Sequence, residues 1–163
     1  MQLRYSVLFL CTGNSARSIM AEAILNHKGK GIFKAYSAGS HPTGQPRPEA
    51  LQQLESAGIS TEGLRSKSWD EFSGPEAPHL DFVFTVCDNA AQEQCPYWPG
   101  QPMTAHWGVA DPAAVKGTPE EVAQAFHQAF VILNRRIDRL ISLPLDELDS
   151  STARRYLEQI GNS

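Results

Sequence analysis

The sequence predicts an α/β fold of three layers, in which a four-stranded parallel sheet carries helices on both faces. Short apolar runs alternate with stretches of helical periodicity, turn-forming residues separate them, and a long amphipathic stretch follows the last predicted strand. In an open parallel sheet, ligands bind beyond the carboxyl ends of the strands. The residues that directly follow each predicted strand are therefore the first candidates for a functional site.

The first half of the chain predicts two strand and helix units. In chain order these are a strand from Tyr5 to Leu10, a helix from Ser18 to His27, a strand from Lys34 to Ala38 and a helix from Pro48 to Ala57. Gly58 is typical of a helix end. The segment from Gly39 to Pro48 is rich in loop-forming residues and predicts a mobile surface loop.

The second half predicts two more strands and two helices. The strands are Phe82 to Val86 and Met103 to Trp107, and the helices run from Pro119 to about Leu143 and from Ser150 to Ile160. Thr118 and Glu121 form a capping box at the start of the longer helix. The arginines of these helices are expected on solvated faces, at Arg135, Arg136, Arg139, Arg154 and Arg155.

The composition limits the classes of function. A chain of 163 residues with 41% hydrophobic content predicts a single domain over residues 1–163. The net charge of −4 favours neither nucleic acid nor membrane as a partner. The apolar run from Val7 to Leu10 is too short for a signal peptide or a membrane span, so we expect a cytoplasmic protein. Three cysteines in a reducing compartment indicate thiol chemistry rather than a disulfide scaffold.

The strongest motif follows the first strand. Five residues separate a cysteine from an arginine here, and the motif reads Cys11, Thr12, Gly13, Asn14, Ser15, Ala16, Arg17, Ser18. A tight loop that enters a helix turns several backbone N–H groups inward and adds the positive end of the helix dipole. The motif therefore predicts a cradle for a tetrahedral oxyanion, with Cys11 as the nucleophile.

Four other residues of this loop have predicted roles beside Cys11. Arg17 offers two donors to the oxyanion, and its charge is expected to lower the pKa of Cys11. Ser18 is expected to donate a hydrogen bond to the thiolate. Gly13 and Asn14 suit positive backbone dihedrals. The alternative is that Cys11 is only a small buried residue at the end of a strand.

At these residues the sequence resembles the low-molecular-weight protein tyrosine phosphatases, which share the cysteine-to-arginine loop and a later Asp-Pro pair. That pair is Asp111-Pro112 here. The resemblance implies that Asp111 is the general acid that protonates the leaving oxygen. Those phosphatases usually follow the pair with an aromatic residue that packs on the substrate ring, whereas this chain has Ala113 and Ala114.

Two further stretches resemble the arsenate reductases of the same fold. They are Thr85-Val86-Cys87-Asp88-Asn89 through Cys95-Pro96, and His106-Trp107-Gly108-Val109-Ala110-Asp111-Pro112. The resemblance implies arsenate as the substrate, phosphate and sulfate as analogues, and a role in arsenic detoxification. Many thioredoxin-coupled members have a cysteine where Ala16 stands and a shorter gap than the seven residues between Cys87 and Cys95.

A hypothesis that uses all three thiols follows. Reduction of As(V) to As(III) takes two electrons, which a pair of thiols supplies by forming a disulfide. Cys11 would attack arsenate, Cys87 would attack Cys11 and expel arsenite, and Cys95 would attack Cys87. An external thiol, either thioredoxin or glutathione with glutaredoxin, would reduce the final disulfide. No tightly bound cofactor is expected, and the cysteine spacing does not suggest a metal site.

Two other functions remain open from the sequence. The first is a phosphatase that acts through Cys11, Arg17 and Asp111, with Cys87 and Cys95 as bystanders. The second is a non-catalytic module that binds phosphate or thioredoxin. A nucleophile together with a general acid argues against the second, because binding requires neither.

Overall fold

Four parallel strands form the centre of the molecule, for which the computed structural model describes residues 5–87, 98 and 101–163. They are β1 (Tyr5–Leu10), β2 (Phe33–Ala38), β3 (Phe82–Thr85) and β4 (Met103–His106), in the order β2-β1-β3-β4. The predicted α/β class and the four-stranded parallel sheet are confirmed.

The α-helices lie close to their predicted positions. They are α1 (Arg17–Lys28), α2 (Pro48–Ser56), α3 (Pro119–Ser142) and α4 (Ser150–Gly161). Short 3-10 helices cover Trp69–Phe72, Pro112–Ala114 and Leu145–Glu147. The predicted capping box of Thr118 and Glu121 is present at the start of α3. In the described ranges, no helix combines the length and the hydropathy that crossing a membrane requires.

One face of the sheet is covered by long helices. Asn26 of α1 exchanges two hydrogen bonds with the backbone of Ala35 in β2, at 2.8 and 3.0 Å. Trp107, directly after β4, stacks on Phe84 with ring centroids 4.1 Å apart and donates its indole N–H to the carbonyl of Leu157 in α4. Helix α3 contacts both α1 and α4.

A shorter element covers the opposite face. Because side chains alternate along a strand, Tyr36 points away from α1. Its ring centroid lies 5.4 Å from that of Phe72, in the 3-10 helix Trp69–Phe72. Leu8 and Leu10 of β1 are buried. Helices therefore lie on both faces, as the sequence predicts.

The strand order places two cysteines side by side. The chain leaves β1 toward β2 and later returns to β3 on the other side of β1, so the connections diverge there. In parallel sheets such a switch point opens a crevice beyond the carboxyl ends of the strands. Cys11 follows β1 and Cys87 lies two residues beyond β3, at the same edge of the sheet.

The prediction that all five helix arginines are solvated is wrong for Arg136. This residue is buried in α3, where its Nη1 donates to the carbonyls of Trp107 and Gly108 at 2.9 and 3.0 Å. Its Nη2 donates to the carbonyl of Ser163 at 3.3 Å. Arg136 thus binds backbone carbonyls that the ends of other segments leave open, and periodicity alone does not identify such a contact.

Candidate active site

The loop from Cys11 to Ser18 enters α1 without a conventional cap. The residue before the helix is Ala16, and no side chain in the described part of the chain caps the first turn. The first turn of a helix has N–H groups without intrahelical acceptors, and a cap normally satisfies some of them. Here those donors remain available to an anion.

Asn14 gives this loop its curvature. Its φ of 45° lies in the left-handed region, as predicted, but Gly13 is not among the described residues with positive φ, so that prediction is wrong for Gly13. The Asn14 side chain is fully buried; it accepts a hydrogen bond from the backbone N–H of Lys67 at 2.8 Å and donates one to Ser18 Oγ at 2.7 Å. The bond to Ser18 leaves the hydroxyl proton of Ser18 for another acceptor.

The segment predicted to be a mobile surface loop is tied to the cradle. Backbone N–H groups of His41, Thr43 and Arg47 donate to the carbonyls of residues 12, 13 and 15 at 2.9, 3.0 and 2.7 Å. These bonds use the carbonyls of the loop. They therefore orient its peptide planes so that the N–H groups face the other way.

Gly39 allows this close contact. A Cβ atom at Gly39 would lie 2.4 Å from the carbonyl oxygen of Thr12 and 2.5 Å from that of Cys11. Any larger residue would push the cradle away from β2. Gly39 also accepts a hydrogen bond from the N–H of Trp69 at 2.9 Å and donates one to the carbonyl of Lys67 at 2.9 Å.

A buried charged pair lies beneath the loop, and sequence reasoning did not identify it. Lys67 Nζ is 3.5 Å from Glu22 Oε1, and the side chains are 7% and 14% exposed. Ser37 Oγ donates to the same oxygen at 2.5 Å, and Lys67 Nζ donates to the carbonyl of Arg65 at 3.2 Å. Burial lowers the pKa of Lys67, while Glu22 opposes that shift. Glu22 and Ser37 lie on different elements, 15 residues apart in the sequence, and only the fold shows that they share a site.

The thiols of Cys11 and Cys87 are in hydrogen-bonding contact, and both residues are buried, at 4% and 3% exposure. Neither forms a disulfide. The Cys87 sulfur accepts a hydrogen bond from the backbone N–H of Thr12 at 3.4 Å and lies 3.7 Å from the Thr12 hydroxyl. The second thiol therefore reaches the cradle without a rearrangement of β3.

The pKa of Cys11 differs from the sequence prediction. The hydrogen bond with Cys87 and burial raise this pKa, and these effects outweigh the opposing effects of Arg17 and the Gly13 N–H. Arg17 does act in the predicted direction. The net rise has a simple cause: two thiols that share one site do not lose both protons readily.

Arg17 connects the cradle to the loop that carries Asp111. Its Nη1 donates to the carbonyl of Val109 at 2.8 Å, and its Nη2 lies 3.7 Å from Asp111 Oδ1. Its buried Nε has no hydrogen-bond partner among the described residues. An unpaired buried guanidinium N–H is costly, and an oxyanion in the cradle would provide an acceptor.

Asp111 has two structural partners. Its Oδ1 accepts a hydrogen bond from the N–H of Ala113 at 2.9 Å, which caps the short 3-10 helix Pro112–Ala114, and it faces Arg17. The side chain is 44% exposed. Asp111 therefore caps this turn and faces the cradle at the same time. The structure brings Cys11, Arg17, Asp111 and Cys87 together, and their chemical roles stay predictions.

The segment before Asp111 is fixed from two sides. Val109 donates its N–H to the carbonyl of Val86 at 2.9 Å and receives the hydrogen bond from Arg17. From the other side, Arg136 binds the carbonyls of Trp107 and Gly108. Sequence reasoning missed Arg136.

Two predictions concern residues at the margin of the site. Cys95 lies outside the described residues. Among the ranges that are described, no group of three or more histidine, cysteine or acidic side chains is arranged to hold a metal ion.

Comparison with known proteins agrees with this geometry. Residues 6–153 match the model of the low molecular weight phosphotyrosine protein phosphatase family. An arsenate reductase of Shouchella clausii is 35% identical over 133 residues, which cover 82% of this chain and 92% of the relative.

Two solved structures share the fold. The arsenate reductase from Archaeoglobus fulgidus superposes with a TM-score of 0.65 at 25% identity, over 84% of this chain and 99% of that one. A low molecular weight protein tyrosine phosphatase from T. tengcongensis gives a TM-score of 0.68 at 27% identity, over 84% and 97% of the two chains. The chain therefore belongs to the low molecular weight phosphotyrosine protein phosphatase family.

Proposed function

We propose that this protein is an arsenate reductase, which reduces arsenate to arsenite through its own thiols. The observation that carries the proposal is the contact between the thiols of Cys11 and Cys87 at the cradle. A phosphatase needs one nucleophilic thiol, whereas a two-electron reduction needs two. The relative from Shouchella clausii that matches 82% of this chain is named an arsenate reductase.

Arsenate would bind at the start of α1. The uncapped first turn and the free Nε of Arg17 provide donors, and the carboxyl group of Asp111 lies at the edge of the cradle, beside Arg17. A tetrahedral dianion matches both the guanidinium fork and the helix N-terminus. Phosphate and sulfate have the same shape and would compete for the cradle.

In the first step, the Cys11 thiol loses its proton as its sulfur forms a bond to arsenic, and one arsenate oxygen leaves as water. Asp111 donates the proton that this oxygen needs. The Arg17 guanidinium stabilises the charge on the oxygens that remain. Arsenic is still As(V) in this adduct, so no electrons have yet been transferred.

In the second step, Cys87 attacks the sulfur of Cys11. An S–S bond forms, the S–As bond breaks, and its electron pair stays on arsenic, which leaves as As(III) in arsenite. The two sulfurs are oxidised by two electrons in total. The N–H of Thr12 supports this step, since it stabilises negative charge on the Cys87 sulfur before the attack.

Cys95 would then attack Cys87 and release Cys11. An external thiol closes the cycle, and thioredoxin and glutathione with glutaredoxin are both compatible with this chemistry. We place the protein in the cytoplasm, where Cys11 and Cys87 stay reduced. The family match over residues 6–153 supports a single catalytic domain.

Phosphomonoester hydrolysis is the second candidate, because Cys11, Arg17 and Asp111 are the groups that it needs. The likeness to the phosphatase from T. tengcongensis supports it. Ala113 and Ala114 argue against an aryl ester as the main substrate, since neither side chain gives a ring to stack on.

The test is steady-state turnover of wild type and of the variants Cys87→Ser and Cys95→Ser, with arsenate and with an aryl phosphate. We expect arsenate reduction with one of the two reductant systems and loss of at least about a hundredfold in Cys87→Ser. Both variants should still hydrolyse the aryl phosphate, which shows that the cradle is intact. Normal arsenate turnover by Cys87→Ser would contradict the relay.

A further inference from the structure

We propose that the reduced protein binds trivalent arsenic covalently between Cys11 and Cys87, so that arsenite inhibits the enzyme in competition with arsenate. The inhibition rests on the proposed function. The binding itself requires no turnover, because it depends only on the two reduced thiols and their contact.

The two sulfurs are already arranged as a pair. The Cys11 and Cys87 thiols contact each other, and the Thr12 N–H holds the Cys87 sulfur at 3.4 Å. Both residues follow parallel strands that are neighbours in the sheet, so the fold fixes their separation. Their burial also keeps water from competing at the sulfur atoms.

The chemistry of As(III) suits this arrangement. Arsenite at neutral pH is uncharged arsenous acid, and soft thiolate sulfur is a strong ligand for a soft centre. Two thiols and one arsenous acid form two As–S bonds and release two water molecules. Two S–H bonds and two As–OH bonds break, one hydroxyl stays on arsenic, and no electrons are transferred.

Preorganisation makes the pair a better ligand than separate thiols. Once the first As–S bond has formed, the second is an intramolecular reaction with a high effective concentration. Little conformational entropy remains to be lost, because Thr12 and the sheet already hold the second sulfur. A trivalent antimony acid has the same ligand chemistry and should bind in the same way.

The redox state of the pair decides when arsenite binds. Product leaves while Cys11 and Cys87 form a disulfide, and in that state neither sulfur can bind arsenic. Once the external thiol has reduced the enzyme, the dithiol is available to arsenate and to arsenite alike. Arsenite should therefore raise the apparent KM for arsenate and leave kcat unchanged.

The experiment uses the full chain, reduced and freed of added thiol, and titrates it with sodium arsenite. Near-ultraviolet absorbance of As–S bonds and the intact mass of the adduct report binding. Wild type and Cys95→Ser should each bind one arsenic, whereas Cys11→Ser and Cys87→Ser should bind at least about tenfold more weakly. Retained binding in Cys11→Ser with loss in Cys95→Ser would assign arsenic to Cys87 and Cys95 and overturn the proposal.

Arsenite binding and arsenate reduction are measured separately, so this inference and the proposed function can fail independently. Wild type that binds arsenite at Cys11 and Cys87 but does not reduce arsenate would support the arsenite site and contradict the reductase. The opposite result would contradict the arsenite site alone. In that case wild type reduces arsenate and is inhibited by phosphate, but it neither binds arsenite nor is inhibited by it.

Discussion

The backbone N–H of Thr12 donates a hydrogen bond to the sulfur of Cys87 across 3.4 Å, and the Thr12 hydroxyl lies 3.7 Å from the same atom. A residue of the first cysteine's loop thus positions the second cysteine. Replacement of Thr12 by Val keeps the shape of the side chain and removes the hydroxyl. We expect arsenite release in a single turnover to slow by about three- to tenfold, since one donor to a developing thiolate is lost.

Thr12→Ser is the matched control for this prediction, because it keeps the hydroxyl, and it should retain most of the rate. Arsenate binding by Thr12→Val should stay close to wild type. A valine variant with the wild-type rate would show that the hydroxyl contributes nothing to the second step.

The pKa of Cys11 should fall when Cys87 is replaced by Ala. The contact with Cys87 is the largest of the effects that raise this pKa, and Arg17 and the Gly13 N–H remain to lower it. The pH dependence of Cys11 alkylation by iodoacetamide, quantified by mass spectrometry, measures the change. Cys95→Ala is the control. An unchanged pH dependence of Cys11 alkylation in Cys87→Ala would contradict the conclusion that Cys87 raises the pKa of Cys11.

Gly39→Ala should damage the cradle from outside the motif. The added Cβ would lie 2.4 Å from the carbonyl oxygen of Thr12 and 2.5 Å from that of Cys11. We expect a loss of about 1–3 kcal/mol in the free energy of unfolding, as for overpacked sites, together with weaker phosphate binding. Gly74→Ala is the control, because no atom lies within 4 Å of its added Cβ. Equal phosphate affinity in both variants would contradict this account.

Lys67 should give stability a particular pH dependence. Burial lowers its pKa from the ordinary value of 10.5, so the folded state binds fewer protons than the unfolded state between the lowered pKa and 10.5. The penalty for burying the ammonium is therefore full below the lowered pKa and fades as pH rises toward 10.5. Denaturant unfolding of wild type should show stability that rises with pH in this window relative to Lys67→Met.

Lys30→Met is the comparison for that titration, because Lys30 is exposed. Its stability should follow the wild-type pH profile. If Lys67→Met also followed the wild-type profile, the ammonium of Lys67 would not be desolvated in solution.

Arg136 should act as a positioning residue for the Asp111 loop. Arg136→Met leaves the carbonyls of Trp107 and Gly108 without their donor, which costs roughly 1–3 kcal/mol of stability. We also expect a lower kcat for the proton-dependent first step, with a changed pH profile and partial rescue in Arg136→Lys. Arg139→Met, an exposed position on the same helix, is the control. If Arg136→Met lost stability but kept the wild-type pH profile of kcat, Arg136 would have a structural role only, and the positioning role would be contradicted.

The parts of this site that are local in sequence were predictable. The cysteine-to-arginine loop, the strand before it and the helix after it depend on neighbouring residues, so spacing and periodicity identify them. The approach of Cys87 to Cys11 also follows from the sheet, because parallel neighbours end at the same edge.

Other parts depend on contacts between distant segments. The sequence predicts Arg136 to be solvated like the other helix arginines. Its contact with the carbonyls of Trp107 and Gly108 is visible only in the fold. Lys67 and Glu22 pair beneath the loop across 45 residues of sequence. The left-handed φ of the loop lies at Asn14, and Gly13 is not among the described residues with positive φ. The pKa of Cys11 could not be predicted from Arg17 alone, since the sulfur of Cys87 has the larger effect.

The most direct test of the relay is arsenite release in a single turnover by fully reduced protein without added thiol, followed by mass-spectrometric mapping of the oxidised cysteines. We predict one arsenite per chain and a disulfide that joins Cys87 to Cys95. In Cys95→Ser, the relay should end with a disulfide between Cys11 and Cys87, whose thiols are already in contact in the structure. Absence of arsenite under these conditions, with all three thiols still reduced, would contradict the internal relay.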